Sequence, residues 1–407
     1  IEDRLGEHDG VHNLRVSIWR DEKYYMTKEV FLSQADYKEL DENGKIQWFY
    51  FYPERARSNN SIVIARPLIT KDLFETKWDV IKKSGSGEPG LYFTNSIELG
   101  SNPCCEISLN PYQFCNLTSI NVADIESQED LNNRASVAAF IGTLQASYTD
   151  FHYLRSQWKK QTEKEALLGV SLTGIASIEE LQYDFAEAAK YAVDQNNITA
   201  SKVGINPAKR VTCIKPEGTG SLVLGTSSGV HAWHNHHYKR RLRVGKNEAI
   251  YKYLLDNVPE IIEDEVFGDG AVITIPVKAP NQAKIRTEGV EEFLERVKYF
   301  TNSWVKGGHR GGMNTHNVSA TVSIRPDEWG RVSLWLWDNQ DSFNGLSFLP
   351  YDNGTYVQAP FEDIDEIEYM EYSKKIKKIN LEDVFEIEDN TNLQGELACS
   401  GGSCEVF

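Results

Sequence analysis

The sequence predicts an α/β fold. Short β-rich runs alternate with amphipathic helical stretches through about 300 residues, the pattern of strands layered against helices. Val318-Ser319-Ala320-Thr321-Val322-Ser323-Ile324 is a clear strand, and Val211-Thr212-Cys213-Ile214 is another that runs straight into a glycine-rich loop at 215–221. Ligands in such folds are expected at strand ends.

In chain order, residues 1–57 alternate polar and aromatic stretches. Val16-Ser17-Ile18-Trp19 and Gln47-Trp48-Phe49-Tyr50-Phe51-Tyr52 read as strands, with Asp41-Glu42-Asn43-Gly44 as the turn before the second. Residues 61–65 read as a strand ended by Pro67; 72–83 have helical spacing, and the Gly- and Pro-rich run 84–90 breaks it. Residues 129–165 read as helices and 167–172 as a short buried strand. Ser177-Ile178-Glu179-Glu180 has the form of a capping box, predicting a helix to about Asn197. A strand is expected over 271–277 and a helix over 289–305. After Pro360 the text turns acidic, and the segment 361–390 is expected to be helical with a solvated face. Residues 391–407 read as a flexible tail bearing Cys399 and Cys404.

Sixty acidic against 43 basic residues give a net charge of −17 and a pI near 5.1. A chain this acidic is a poor non-specific ligand for nucleic acid or anionic membrane, so neither is an expected partner. A phosphate-bearing substrate would need positive charge concentrated locally. No apolar run approaches the ~18–20 residues of a membrane helix. The first residues, Ile1-Glu2-Asp3-Arg4-Leu5, lack a signal-peptide pattern and a Met, so the chain is read as a piece of something longer. Six cysteines are too sparse for a secreted disulfide scaffold, and their uneven placement suggests reactive thiols in a reducing cytoplasm.

The most informative stretch is Asn102-Pro103-Cys104-Cys105-Glu106-Ile107-Ser108-Leu109, followed by Phe114-Cys115-Asn116-Leu117. It sets the Cys104 thiol two residues from the Asn102 amide and two from the Glu106 carboxylate, with Cys115 further on. Such a trio could hold a pair of substrate hydroxyls, with a carboxylate base, an amide donor and a thiol as nucleophile or redox group. Inert buried cysteines fit the spacing equally well. Zinc fits less well, because no second nearby pair completes four ligands.

Asn-Pro-Cys-x-Glu-Ile with Phe-Cys-Asn-Leu downstream resembles the finger loop of ribonucleotide reductases. Arg57-Ser58-Asn59-Asn60-Ser61, Gly87-Glu88-Pro89-Gly90, Lys215-Pro216-Glu217-Gly218-Thr219, Ser228-Gly229-Val230-His231, Leu349-Pro350-Tyr351, Gln358-Ala359-Pro360 and the terminal Cys-x4-Cys agree in the same order. The close finger-loop cysteines, and Ser347-Phe348-Leu349-Pro350-Tyr351 where class I enzymes carry paired tyrosines, make the chain similar to class II enzymes. Among those it is most similar to the adenosylcobalamin-dependent ribonucleoside-triphosphate reductase type.

The resemblance implies a ten-stranded α/β barrel of the ribonucleotide reductase and glycyl-radical kind with a central finger loop, incomplete here at its N-terminus. Residues 1–57 would be a β-rich piece of an upstream region, 58–360 the catalytic barrel with the finger loop near 102–116, 361–390 the acidic segment and 391–407 the redox tail. Cys104 would become the thiyl radical that removes hydrogen from the ribose 3′ carbon. Glu106 would take the 3′-hydroxyl proton, Asn102 would hold the hydroxyls, and Cys115 would be half of the dithiol that reduces the 2′ position. Cys399 and Cys404 would carry electrons from a thioredoxin-like reductant. Ser58, Pro216, Glu217, Gly218, Thr219, Gly220 and Ser221 would bind the substrate, a ribonucleotide and by this type a triphosphate.

The cofactor implied is adenosylcobalamin, with no metal site. The further partners are a deoxynucleotide effector bound upstream of this chain and the upstream polypeptide half itself. The alternatives are a class I-type large subunit needing a separate radical-generating subunit, and a non-catalytic nucleotide-binding remnant.

Several residues depart from the family or invite a second reading. Cys105 stands where relatives commonly have Gly, either as an innocent small residue or as a competing thiol. The loop 215–221 reads as a phosphate cradle in the light of the resemblance and as a plain strand-to-helix turn without it; Glu217 is expected to point away from the anion. His231, His234, His236 and His237 suggest a metal less than a loop lining the substrate or cofactor mouth. Lys239-Arg240-Arg241-Leu242-Arg243 reads as a basic patch near phosphates or as a solvated strand edge. Asp150-Phe151-His152-Tyr153-Leu154-Arg155 begins like a cobalamin-ligand signature but has Arg where Gly belongs, and reads as helix.

Overall fold

The computed structural model describes residues 18–20, 23–25, 59, 61–85, 87–179, 182–266, 268–351, 357–376 and 379–385. The aromatic run 47–52, its preceding turn, Ser58, Cys399 and Cys404 lie outside the described residues. The described residues fall into two compact units: those up to His231 with Glu288–Tyr351, and Ala232–Thr287 with those from 357 to 385.

Strands β1 (Ile18–Arg20) and β2 (Lys23–Tyr25) form an antiparallel hairpin on the first expected strand. β3 (Ser61–Ala65) ends at a turn carrying Pro67. α1 (Lys71–Ser84) begins where the Thr70 hydroxyl accepts the Leu73 N–H, and stops at left-handed Gly85, where a side chain would be strained. Then come β4 (Gly90–Thr94), β5 (Gly100–Ser101), β6 (Ser108–Leu109), β7 (Asn116–Asn121), α2 (Gln128–Ala146), α3 (Ser156–Glu165) and β8 (Leu168–Thr173), followed by α4 (Phe185–Val203) and α5 (Gly218–Val223). The second unit holds β9 (His237–Val244), α6 (Ala249–Asn257), β10 (Ile262–Asp264) and β11 (Ala271–Lys278). α7 (Val290–Phe300), β12 (Thr321–Ile324), α8 (Trp329–Asp338) and β13 (Gly345–Pro350) return to the first, and β14 (Phe361–Asp363) and α9 (Glu366–Ile376) to the second.

One helix start differs from expectation. Asp184, not Ser177, caps α4: its carboxylate accepts the Glu187 N–H, and its own N–H reaches Gln128 on α2. Ser177 instead lies in a short 3-10 turn beside the Thr226 hydroxyl. The local motif is weaker than a cap that also ties two packed helices together.

The sheet of the first unit explains where a site can form. β7 pairs parallel with β8, β8 bridges to Thr212, and Ile214 bridges to Val318, each in parallel. The 318–324 run continues as β12, parallel to β13. Five parallel strands therefore lie side by side, after which β13 turns to an antiparallel partner, β4, itself parallel to β3. Among the described residues, β3 and β7 are the two outer strands of this seven-strand order, and it does not close.

One face is dry. Leu168, Val170 and Leu172 of β8 lie against α2, and α2 packs on α4 through small residues, Ala135, Ala138 and Ala139 with Ala188, Ala189 and Ala192, that let the two helices approach closely. Each fully buried aliphatic side chain there contributes about 1.5–3 kcal/mol. The opposite face takes the finger loop: a Cβ on Gly169 would lie 2.8 Å from Ile107, 2.5 Å from Leu117 and 3.2 Å from the Cys213 sulfur.

Close packing also fixes the 308 region. A Cβ on Gly308 would lie 1.9 Å from the buried Thr212 hydroxyl, which donates to the Trp304 carbonyl at 2.7 Å. Gly308→Ala should cost about 1–3 kcal/mol by overpacking. A urea midpoint equal to the parent's would count against this.

In the second unit, β10, β11, β9 and β14 form one antiparallel sheet, so the 271–277 run is a central antiparallel strand. Its charges cancel internally. Lys239 pairs with Glu362 at 3.3 Å and with Glu368, Arg241 with Glu362, and Arg243 with Glu265 at 2.8 Å. The basic run is thus neither a phosphate patch nor a bare edge, and part of the acidic segment is its counter-charge. Among the described residues, no helix is long and apolar enough to cross a membrane.

Candidate active site

The finger-loop residues occupy a tight hairpin tip. β5 and β6 pair antiparallel, with Ser101 opposite Ser108, leaving residues 102–107 to turn the chain. Pro103 is the second residue of that turn, which the Cys105 N–H closes on the Asn102 carbonyl at 3.0 Å. The Asn102 Oδ1 accepts the Ile107 N–H at 2.9 Å, so this side chain holds the loop together as well as facing Glu106. Asn59, just after the expected site residue Ser58, donates to the Pro103 carbonyl at 2.9 Å.

Cys104 is half-buried at this tip, whereas Cys105 is sealed. Cys105 has a left-handed φ of 62°, a conformation that costs a non-glycine residue roughly 1–2 kcal/mol. That backbone turn is why Gly suits the position. It also sends the Cys105 sulfur to 3.3 Å from the Ser101 hydroxyl, packed with Val63 and Tyr92. Cys104, Cys105, Cys115 and Cys213 are all outside disulfides.

Glu106 is the centre of the arrangement. Its carbonyl accepts the Asn317 N–H at 2.9 Å, and the Asn317 carbonyl accepts the Ile214 N–H at 3.1 Å, which docks the loop on two barrel strands. Its carboxyl is buried, and Oε2 has no hydrogen-bond partner. Burial raises its proton affinity above the usual carboxylate range, opposed by the Asn102 hydrogen bond and the Lys215 charge. An orphaned buried carboxyl oxygen of raised pKa suits a general base awaiting a substrate proton.

Cys115 is half-buried immediately before β7; burial and then the Glu106 charge push its thiol up, against Arg210. Cys213 is fully buried and its thiol is pushed well up by burial, then by Glu106 and Cys115. The register sets Cys213 level with Ser171 and Cys115 level with Leu167, two strands apart. Four residues of strand are about 13 Å, well beyond the ~7 Å Cα separation a disulfide bridges.

The loop 215–221 differs in detail from a bare cradle. Glu217 is left-handed and buried, and its carboxylate turns inward. There it accepts the Ser119 hydroxyl and pairs with Lys215 at 3.2 Å. A Cβ on Gly220 would lie 2.5 Å from Glu217 Oε2, so this carboxylate covers the first turn of α5 instead of pointing away. The Ser221 hydroxyl donates to the Gly218 carbonyl at 3.1 Å and is not offered outward, whereas Thr219 is exposed.

The histidine run is structural at its first member. The His231 Nδ1 lies 3.1 Å from the Ser228 carbonyl, and Nε2 accepts the Thr321 N–H at 3.0 Å. Among the described residues, no group of three or more His, Cys, Asp or Glu could hold a metal. Burial pulls the His231 imidazole down to about 4. Its ring stays neutral in the fold while the unfolded chain protonates near 6.5, so stability should fall as pH drops from 6.5 toward 4. Melting temperatures followed over that range should fall less steeply in His231→Gln; an equal fall would rule this out. His152 is exposed beside Asp150 in the connection between α2 and α3, not in a helix.

Sequence reasoning missed Ser119 and Asn317 as site residues, and the buried Arg210–Glu165 pair that ties Asn110 and Gln113 behind the loop. Ser119 was within reach, because a two-residue strand period puts Cys115, Leu117 and Ser119 on one face. Arg210 and Glu165 carry no local signal.

The family described as "Ribonucleotide reductase, barrel domain" matches residues 93–201. An adenosylcobalamin-dependent ribonucleoside-triphosphate reductase of Euglena gracilis is 25% identical across 92% of this chain and 53% of its own length. That of Lactobacillus acidophilus is 24% identical across 78% of this chain and 46% of its own. The chain spans about half the length of the curated relatives it matches. A solved B12-dependent class II ribonucleotide reductase superposes with a TM-score of 0.68 at 20% identity, over 85% of this chain and 53% of that one. The fold is therefore the ribonucleotide reductase barrel fold.

Proposed function

We propose, from the premise that this chain is similar to a portion of an adenosylcobalamin-dependent ribonucleoside-triphosphate reductase, that it reduces ribonucleotides to 2′-deoxyribonucleotides as part of a larger enzyme. The observation that carries the reading is the hairpin tip, which holds a half-buried Cys104 thiol and, two residues on, a sealed Glu106 carboxyl with one unpartnered oxygen. Cys104, less enclosed than Cys105 or Cys213, fits as the thiol that meets the cofactor. When bound, adenosylcobalamin supplies the radical that takes the Cys104 hydrogen atom.

Cys104 then removes hydrogen from the ribose 3′ carbon while Glu106 accepts the 3′-hydroxyl proton, which eases loss of the 2′-hydroxyl as water. Two thiols give up two protons and two electrons to the reduction and become one disulfide, and Cys104 returns its hydrogen to the 3′ carbon. Cys115 is one of them. Its register argues against Cys213 as the other, so the second thiol belongs to an upstream polypeptide. That polypeptide would also supply the three strands that a ten-stranded barrel needs between β3 and β7, and the effector site. Ser58, Pro216, Gly218, Thr219 and Gly220 would face the triphosphate, and Cys399 and Cys404 would relay electrons from a thioredoxin-like protein in a reducing cytoplasm.

The test is deoxynucleotide formation with adenosylcobalamin, ribonucleotide and dithiothreitol. The chain joined to its upstream half should turn over repeatedly, and the 407-residue chain alone should not. Turnover by the chain alone would overturn the need for an upstream thiol; a joined enzyme that makes no deoxynucleotide would overturn the function. Replacing Cys399 and Cys404 by Ser should stop thioredoxin-driven turnover and leave a single turnover of pre-reduced enzyme.

A further inference from the structure

Three polar side chains meet just after the strand that carries the hairpin's backbone link. Lys215 follows Ile214, the residue whose backbone is linked through Asn317 to the Glu106 carbonyl. Its ammonium donates to Ser119 at 3.1 Å and pairs with Glu217 at 3.2 Å, and the Ser119 hydroxyl in turn donates to the same Glu217 carboxylate. Ser119, Lys215 and Glu217 thus form one closed polar cluster on β7 and the loop after the 211–214 strand. Glu217 is almost completely buried, and so is the Glu106 carboxyl.

We infer that Lys215 and Glu217 are positioning residues that set when Glu106 holds or releases its proton, with Ser119 fixing their separation. The inference rests on the reading of Glu106 as the base. A buried carboxyl feels nearby charges strongly because little water screens them. The groups facing Glu106 are Asn102 on its own hairpin, Cys115 before β7, and Cys213, Lys215 and Glu217 on the neighbouring strand and loop. At neutral pH the thiols are uncharged, since burial pushes both up. The balance is therefore between one cation and one anion. Lys215 favours the Glu106 carboxylate and Glu217 opposes it, in agreement with the directions each imposes.

The test is an infrared titration of the full 407-residue chain, following the C=O band of the protonated buried carboxyl and assigning it by its loss in Glu106→Gln. Lys215→Met should raise the midpoint, and Glu217→Gln should lower it, each by ~1 unit, the scale of a charge within a few ångströms. Lys215→Arg should restore the parent midpoint. If Lys215→Met misfolds because it strands Glu217, the double variant Lys215→Met/Glu217→Gln removes both charges and should titrate closer to the parent than Glu217→Gln does. Midpoints that stay put, or that move in the same direction in both single variants, would overturn the inference. Because the band reports protonation and not turnover, an inactive enzyme with the expected shifts would sink the proposed function and leave this coupling standing.

Discussion

Cys104→Ser, in the chain joined to its upstream half, is expected to lose deoxynucleotide formation by ~10⁴-fold or more, the scale of removing a reacting nucleophile from a concerted site. Cobalamin-dependent hydrogen exchange should vanish with it. The serine O–H bond is too strong for the cofactor radical to break, whereas the thiol S–H is not. The substitution removes no buried apolar volume, because Cys104 is only half-buried at a turn held by Asn102, Pro103 and Asn59. The neighbouring thiol is a poor understudy: its left-handed backbone directs it to Ser101 and under Tyr92. Hydrogen exchange persisting in Cys104→Ser would move the radical to Cys105 or elsewhere and defeat the assignment.

Arg210→Met should be the most destabilising single substitution, at about 3–5 kcal/mol, because it strands a buried carboxylate. The Arg210 guanidinium donates to Glu165 Oε2 at 2.7 Å, and both residues are buried. Burial by itself would raise the Glu165 pKa, but hydrogen bonds from Gln113, Arg210 and Asn110 win and hold it below the usual range. Gln113 and Asn110 lie on the return limb of the finger loop, at 2.9 and 3.1 Å from the same oxygen. Loss of Arg210 should therefore loosen the segment leading to Cys115 as well as the strand it sits on. Urea unfolding would measure the loss. Arg210→Met/Glu165→Leu should recover a large part of it, since no charge is then left unpaired. A double variant as unstable as the single would show that the loss comes from packing instead.

The sequence by itself determined the strand and helix alternation and the limits of β3, α1 and β8 to within a residue or two, and it singled out Asn102, Cys104 and Glu106 as a candidate trio. Each of those rests on local physics: side-chain period, Pro and Gly punctuation, and reactive groups spaced within one turn. Tertiary structure alone decided the rest. Only the pairing of β7, β8 and the 211–214 strand brings Ser119 to Lys215 and Glu217, from segments far apart in the chain. Only packing turned Glu217 inward, moved the start of α4 from Ser177 to Asp184, and joined the basic strand β9 to the acidic β14 and α9. A charge or a hydroxyl carries no local mark of its partner, because its energy depends on burial and on what the fold sets within a few ångströms of it.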